Sequence, residues 1–567
     1  MTERRLSGTG VAPRSGAGTG VWYGPDAAVA LGDPPDPDSV DAERERDRFE
    51  EAREVAREEL RRARDRTAER LGESEAAVFD AHVQFLDDPQ ITEDVDAELD
   101  AGYPAEHAVR RAFDRVIEEF ADLDGRMAER ADDLRDVRDR LLRLLLDEER
   151  TDLAALPPGS VVLAERLTPS DTARLDPDRI AGFATVSGGP TSHAAIFARS
   201  LGLPAVVGVG EALRDVDDGA EVVVDGSEGT VVVDPAESTL EAAAADADVE
   251  VRRDPVATAD GTPIEVAANA GTEADVRAAV EHGADGIGLF RTEFLFLDQS
   301  SPPTEDEQYD VYREALAAFP DGRVVVRTLD VGGDKPVDYL DRPESENPFL
   351  GERGVRRSLG PDADLFETQL RALLRAAGDA DGGRLSVMVP LVSTVEEVDA
   401  ATETLDSVAA DLDADGVSNA RPEFGVMVET PAAAFLAEDL LDRVDFLSVG
   451  TNDLAQYVMA AARGDERVAG LRDYRQPAVL RAIEATVAAA AGTDAWVGIC
   501  GEMAGDPDLT PLLVGLGFDE LSVSPPAVPQ IKRAVAETTR SDARELARRA
   551  LAAATKQEVT EILDASR

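Results

Sequence analysis

Among its 567 residues the chain has one cysteine, Cys500, three lysines (Lys335, Lys532 and Lys556), four histidines and two tryptophans. A single cysteine permits no intrachain disulfide, which excludes a stapled extracellular framework and suits a cytoplasmic setting. No apolar run reaches the roughly 18 residues that would cross a bilayer, so no membrane span is expected. Arg4-Arg5 is followed by Leu-Ser-Gly-Thr-Gly-Val, not by the apolar stretch of about 7–15 residues that an export signal needs. Positive charge is also scarce. Lys and Arg number 58 against 116 Asp and Glu, a formal net charge of −58, which excludes nucleic-acid binding through a basic face and any attraction to an anionic membrane.

What is present is a folded, salt-adapted chain. Apolar residues make up 43% and recur in periodic segments, enough to build cores despite the charge. An acidic, lysine-poor surface suits molar salt, where screening shortens to about 3 Å and self-repulsion becomes tolerable. At roughly 150 residues per domain, the length allows three or four folded units.

The texture changes along the chain. Residues 1–35, rich in Gly and Pro, predict an opening strand around Gly20–Tyr23 and a connection. From Asp36, apolar residues recur at three- and four-residue spacing (Phe49, Ala52, Ala56, Leu60; Val78, Phe79, His82, Phe85; Val109, Ala112, Phe113, Val116, Ile117, Phe120), and a stretch through Leu141–Leu145 follows. These stripes with short breaks predict a helical bundle over 36–150. After Pro157-Pro158-Gly159, short apolar runs predict the strands of a small α/β domain over 1–35 and 151–235, interrupted by the bundle. Residues 236–255 are read as a helical linker.

Over 256–567, eight apolar runs alternate with helical stretches: Ile264–Ala268, Gly286–Phe290, Arg323–Val326, Leu385–Val389, Phe424–Val428, Phe446–Val449, Trp496–Ile499 and Leu521–Val523. The fold class is therefore multidomain α/β with a C-terminal (β/α)8 barrel. Arg291, Arg327, Glu429, Asn452 with Asp453, and Cys500 with Glu502 all follow predicted strands, at the end where such a barrel builds its site.

Several of these residues have chemistry to offer. His82, His107 and His282 are read as structural, whereas His193 follows Gly188-Gly189-Pro190-Thr191-Ser192 at the mouth of a predicted helix, where backbone N–H groups favour an anion. A histidine there can also accept a phosphoryl group covalently. Arg291 and Arg327 present planar forks suited to phosphate and carboxylate, and Arg463 lies ten residues beyond Asp453. Glu429 and Asp453 are two oxygen ligands of the kind Mg²⁺ takes alongside substrate and water. Cys500, if protonated, can donate a proton.

Leu167-Thr168-Pro169-Ser170-Asp171 with Gly188–His193, Gly288-Leu289-Phe290-Arg291-Thr292-Glu293, Arg327-Thr328-Leu329-Asp330, Gly425–Pro431, Gly450-Thr451-Asn452-Asp453-Leu454 and Cys500-Gly501-Glu502 together resemble the enzyme I family of the phosphoenolpyruvate-dependent sugar phosphotransferase system, over nearly the whole chain. The resemblance implies that His193 accepts the phosphoryl group at Nε2, with Thr168 as a possible orienter. It implies that Arg291, Arg327, Asn452, Asp453 and Arg463 bind phosphoenolpyruvate, that Glu429 and Asp453 ligate Mg²⁺, and that Cys500 protonates the enolate to give pyruvate. It further implies that the bundle docks the histidine-containing phosphocarrier protein HPr, that the barrel dimerises, and that the small domain swivels. The departures are Glu352, where the family commonly has an aromatic, and Pro190 in the histidine loop. The rival readings are an enzyme like pyruvate phosphate dikinase or phosphoenolpyruvate synthase, for which no phosphate-cradling Gly-rich loop is found in the first 150 residues, and a non-catalytic scaffold, whose expected loss of His193 or a metal carboxylate is absent. The composition predicts that urea midpoints rise as KCl is raised from about 0.1 M to about 2 M, beyond the range where simple screening saturates; a flat or falling midpoint would remove the salt-adaptation reading.

Overall fold

The structure is a computed structural model. It describes residues 3–566 apart from 13, 25–30, 72, 122–125, 148–152, 190–191, 248, 298–300, 332–338, 341–346, 348, 380–382 and 463–465, and some further side chains, that of His193 among them, lie outside the description. The chain divides into two compact units, Met1–Asp248 and Val249–Arg567.

In the first unit, eight strands form one mixed sheet in the order Arg4–Ser7, Thr230–Val233, Glu221–Asp225, Ser15–Tyr23, Ser160–Ala164, Ile180–Thr185, Ala205–Val207, Thr9–Ala12. Ser15–Tyr23 and Ser160–Ala164 are parallel neighbours, with Gly20 opposite Val161, although the helices lie between them in sequence. The opening segment holds three strands where the sequence suggested one. Its glycines hide the pattern: a Cβ on Gly16 or Gly18 would collide with the carbonyl oxygens of Ala181 or Gly159, so tight backbone approach replaces the usual alternation of side chains.

The inserted helices are Ala42–Leu71, Glu73–Leu86, Pro89–Asp100, Ala105–Ala121 and Arg126–Leu146. They bury the predicted stripes, including Phe49, Ala56, Leu60, Phe79 and Phe113. The sequence reading passed over the third helix, although Asp88 caps it through the Gln90 N–H and Ile91, Val95 and Leu99 are buried along one face. His82 is fully buried, with Nε2 3.2 Å from Asp133 Oδ1 and Nδ1 3.4 Å from Asp136 Oδ2, two charged neighbours that the sequence did not disclose. The segment after the sheet is helical only over Glu237–Ala247, shorter than the linker expected over 236–255.

The second unit closes eight parallel strands into a barrel: Pro263–Ala270, Ile287–Arg291, Arg323–Arg327, Arg384–Val389, Glu423–Val428, Phe446–Val449, Trp496–Ile499 and Glu520–Val523, with the first hydrogen-bonded to both the second and the eighth. Alternate residues point inward. At the amino end of the barrel Arg323 stacks on Trp496, 3.8 Å from its ring centroid, and pairs with Glu265 at 3.2 Å. Above them Leu289, Val325, Met388, Met427, Phe446 and Cys500 form an apolar plug, so the site at the carboxyl end rests on a packed floor. On the outer face, Lys532 is 1% exposed and donates to Asp285 Oδ1 at 2.6 Å and to the carbonyls of Asp254 and Arg252. Lys532→Met should destabilise the barrel by about 3–5 kcal/mol because Asp285 is left buried and unpaired, and Asp285→Asn in the same chain should recover most of the loss. Urea unfolding in high salt reads both; equal midpoints for the single and the double variant would count against the pair.

Candidate functional site

The barrel mouth is assembled by strand ends. Arg291 and Arg327 terminate adjacent strands and are direct cross-strand partners. Their environments differ. Arg291 is exposed and, among the described residues, makes no hydrogen bond or ion pair. Arg327 is buried: its Nη2 donates to Glu293 Oε1, Nη1 lies 3.7 Å from Asp330 Oδ2 and 3.5 Å from the Met427 sulfur, and Nε has no hydrogen-bond partner. Burial works against its charge, but Glu293, Asp330 and Glu429 outweigh that and hold the guanidinium protonated above its ordinary range.

Glu429, just after the fifth strand, is 1% exposed and accepts a 2.7 Å hydrogen bond from the Leu391 N–H. Burial first, then the like charges of Asp453 and Asp330, push its carboxyl up to about 8 against the pull of Arg327. Gly450 lies close against it, since a Cβ there would sit 3.2 Å from Glu429 Oε2. Asp453 stands in the first turn of the helix Thr451–Met459, and its neighbour Asn452 accepts a 3.2 Å hydrogen bond from the Glu502 N–H. Cys500 directly follows the seventh strand, with its sulfur accepting from Ser448 Oγ at 3.5 Å and lying 3.7 Å from the Val449 carbonyl. Burial pushes its thiol up to about 11, with Ser448 and Arg327 opposing, so it carries its proton at neutral pH. The structure thus brings Arg291, Arg327, Glu429, Asn452, Asp453 and Cys500 to one end of the barrel; Arg463 lies outside the described residues.

Some neighbours of this site were not picked out from the sequence. Asn269, at the end of the first strand, donates to the Cys500 carbonyl at 3.3 Å and accepts from Ser522 Oγ at 2.8 Å. Glu293 and Asp330 lay inside the quoted motifs without a role; a carboxylate that close in sequence to an arginine gives no sign of facing it until the strands pair.

In the first unit His193 opens the helix His193–Leu201, which Ser192 caps through the Ala195 N–H and Gly202 ends in the left-handed conformation. The helix is held on two sides: Phe197 packs into the bundle core, and Ala194, Ala195 and Ala198 into the core beneath the sheet. Gly188, at φ +130°, makes the turn ahead of it, and Pro190 and Thr191 lie outside the described residues. Thr168 caps the short helix Pro169–Thr172 in a reciprocal box with Asp171, its hydroxyl donating to Asp171 Oδ2 at 2.8 Å. Asp171 also accepts from the Tyr23 hydroxyl at 2.6 Å.

Comparison with known proteins defines the class. Residues 246–540 match the family model described as PEP-utilising enzyme, PEP-binding domain; 156–229 match the mobile domain and 7–130 the N-terminal region of the same enzymes. A phosphoenolpyruvate-protein phosphotransferase of Haloferax volcanii is 69% identical over 99% of each chain, and that of Staphylococcus carnosus is 40% identical over 93% of each. The NMR solution structure of an Enzyme I protein is 35% identical, covering 42% of this chain and 97% of that one, with a TM-score of 0.37. The chain belongs to the phosphoenolpyruvate-protein phosphotransferases, enzyme I of the sugar phosphotransferase system. Its kinship with the Haloferax protein accords with the acidic, lysine-poor composition. No helix among the described residues is long and apolar enough to cross a membrane.

Glu429 and the barrel-floor Glu520, 1% exposed, are both pushed up to about 8, in each case mainly by burial. Their folded values lie above the ordinary glutamate value of 4.5, so the stability they contribute is complete below that range and is lost as pH rises through about 8. Urea midpoints should therefore be lower at about pH 9 than at about pH 6, with a smaller drop in Glu520→Gln; an unchanged drop in that variant would show that the loss arises elsewhere.

Proposed function

We propose that this chain takes the phosphoryl group of phosphoenolpyruvate onto His193 Nε2 and passes it to the histidine-containing phosphocarrier HPr, releasing pyruvate as the first step of sugar uptake. The observation that carries the reading is the cross-strand pair Arg291 and Arg327 beside Glu429 and Cys500. Two arginines on adjacent strands repel, and among the described residues only Arg327 of the two has carboxylate partners; a ligand that carries both a phosphate and a carboxylate, placed between them, relieves the repulsion.

In this reading Arg291, Arg327, Arg463 and Asn452 bind the substrate, and Asp453 contacts it. The P–O bond to the enol oxygen breaks as the imidazole nitrogen takes the phosphorus, and the enolate left behind receives the Cys500 proton at its methylene carbon. A thiol pushed up to about 11 suits a group that must keep its proton until that carbon becomes basic. Phosphoryl transfer of this kind depends on alignment and charge neutralisation more than on covalent help from the enzyme.

Among the described residues no cluster of three or more His, Cys, Asp or Glu is placed to hold a metal. Glu429 and Asp453 nonetheless fit Mg²⁺, which commonly takes one or two carboxylates and fills its shell with water and substrate oxygens. The buried Glu429, burdened by like charge, is the kind of group a cation relieves. Bound there, Mg²⁺ would supply fixed positive charge to the substrate's oxygens. Thr168, already engaged with Asp171, would orient His193. Residues 1–35 with 151–235 would form the swivelling carrier domain, the bundle over 36–150 would dock HPr, 236–255 would link, and the barrel over 256–567 would form a homodimer. We place the protein in the cytoplasm, in keeping with its single cysteine.

Incubation with ³²P-labelled phosphoenolpyruvate and Mg²⁺ in molar KCl should give an acid-labile, alkali-stable label that is absent from His193→Ala. Label that survives in that variant would overturn the assignment.

A further inference from the structure

Arg327 is one rung of a longer buried arrangement. Its Nη2 is held by Glu293, which is fully buried and whose Oε2 has no hydrogen-bond partner. Its Nη1 faces Asp330 Oδ2 at 3.7 Å. Asp330 is gripped from behind by Arg353, through Nη2 at 2.9 Å and Nε at 3.3 Å. The order is therefore Arg353, Asp330, Arg327, Glu293, alternating in sign, all buried and formally neutral as a set. The parts come from different places: Glu293 follows the second strand, Asp330 the third, and Arg353 a turn between Gly351 (φ +85°) and Gly354 (φ +55°). The Thr292 hydroxyl also donates to the Arg327 carbonyl at 2.9 Å, tying the Glu293 segment to the arginine's own backbone.

We propose that Glu293 and Asp330 are positioning residues that fix the Arg327 guanidinium for the substrate anion, with Arg353 neutralising Asp330. The inference rests on Arg327 being a substrate ligand. A free arginine side chain loses rotamer entropy when it is immobilised. Here that cost is met during folding, because Glu293 and Asp330 already face Nη2 and Nη1 of the guanidinium. Arg291 is exposed and, among the described residues, has no such partners. A screening role for Glu293 predicts the opposite sign: removing its negative charge would then strengthen anion binding.

The test is a double-mutant cycle on phosphoenolpyruvate-dependent phosphorylation of the full-length protein, using Glu293→Gln, Arg327→Met and the double variant. Glu293→Gln keeps size and an acceptor oxygen, and should lower kcat/KM about tenfold, mainly through KM, within the range of couplings seen inside one ion network. In the Arg327→Met background the same change should cost less than about twofold, since there is no guanidinium left to orient. The double variant replaces a buried ion pair by neutral groups of similar size and is expected to fold. Asp330→Asn, carried through the same cycle, serves if Glu293→Gln does not fold. An equal loss in both backgrounds, or a KM that is unchanged or lower in Glu293→Gln, overturns the positioning role. If Arg327→Met itself leaves kcat/KM intact, the anion-site reading falls and the positioning role with it.

Discussion

A buried arginine held by two carboxylates, with the exposed Arg291 as its cross-strand neighbour, is the constraint around which the barrel mouth is organised. Burial works against the charge of Arg327, and Glu293, Asp330 and Glu429 offset what it takes away. Glu293 in turn relies on Arg327, since an unpaired buried charge is strongly destabilising, whereas Asp330 is also held by Arg353. The strand ends must therefore stay in register, and the closed barrel enforces that by pairing every strand on both edges. Glu429, at the same end of the barrel, is burdened by burial and by the like charges of Asp453 and Asp330.

Neutral groups complete the arrangement. Cys500 is kept as a thiol by burial, and Ser448 and the Val449 carbonyl fix where the sulfur sits. Beneath it the apolar layer of Leu289, Val325, Met388 and Phe446 closes the barrel to water from below. In the other unit, the helix that begins at His193 is clamped between bundle and sheet by Phe197 on one side and small alanines on the other.

Much of the fold could be read directly. All eight barrel strands lie within a residue or two of the runs predicted for them, because parallel strands buried on both faces need continuous apolar segments. The long bundle helices were legible for the same reason in a different period. The glycine-rich opening strands were not, since their spacing is set by the close approach of Ala181 and Gly159, a contact that exists only in the assembled sheet. The helix Pro89–Asp100 was passed over because it is short and its three buried residues sit among acidic ones.

For the site, residue type and position after a strand were enough to nominate Arg291, Arg327, Glu429, Asn452, Asp453 and Cys500, because chemistry in a barrel collects where its strands end. Composition alone also set the single thiol and the acidic surface. What only the tertiary structure decided is how those groups are charged and held. Strand pairing sets Arg291 beside Arg327, barrel closure buries Glu429 and Cys500, and Glu293 and Asp330 become partners of Arg327. The reason is physical: a side chain's charge and orientation depend on the solvent it has lost and the groups that replace it, and those come from distant parts of the chain.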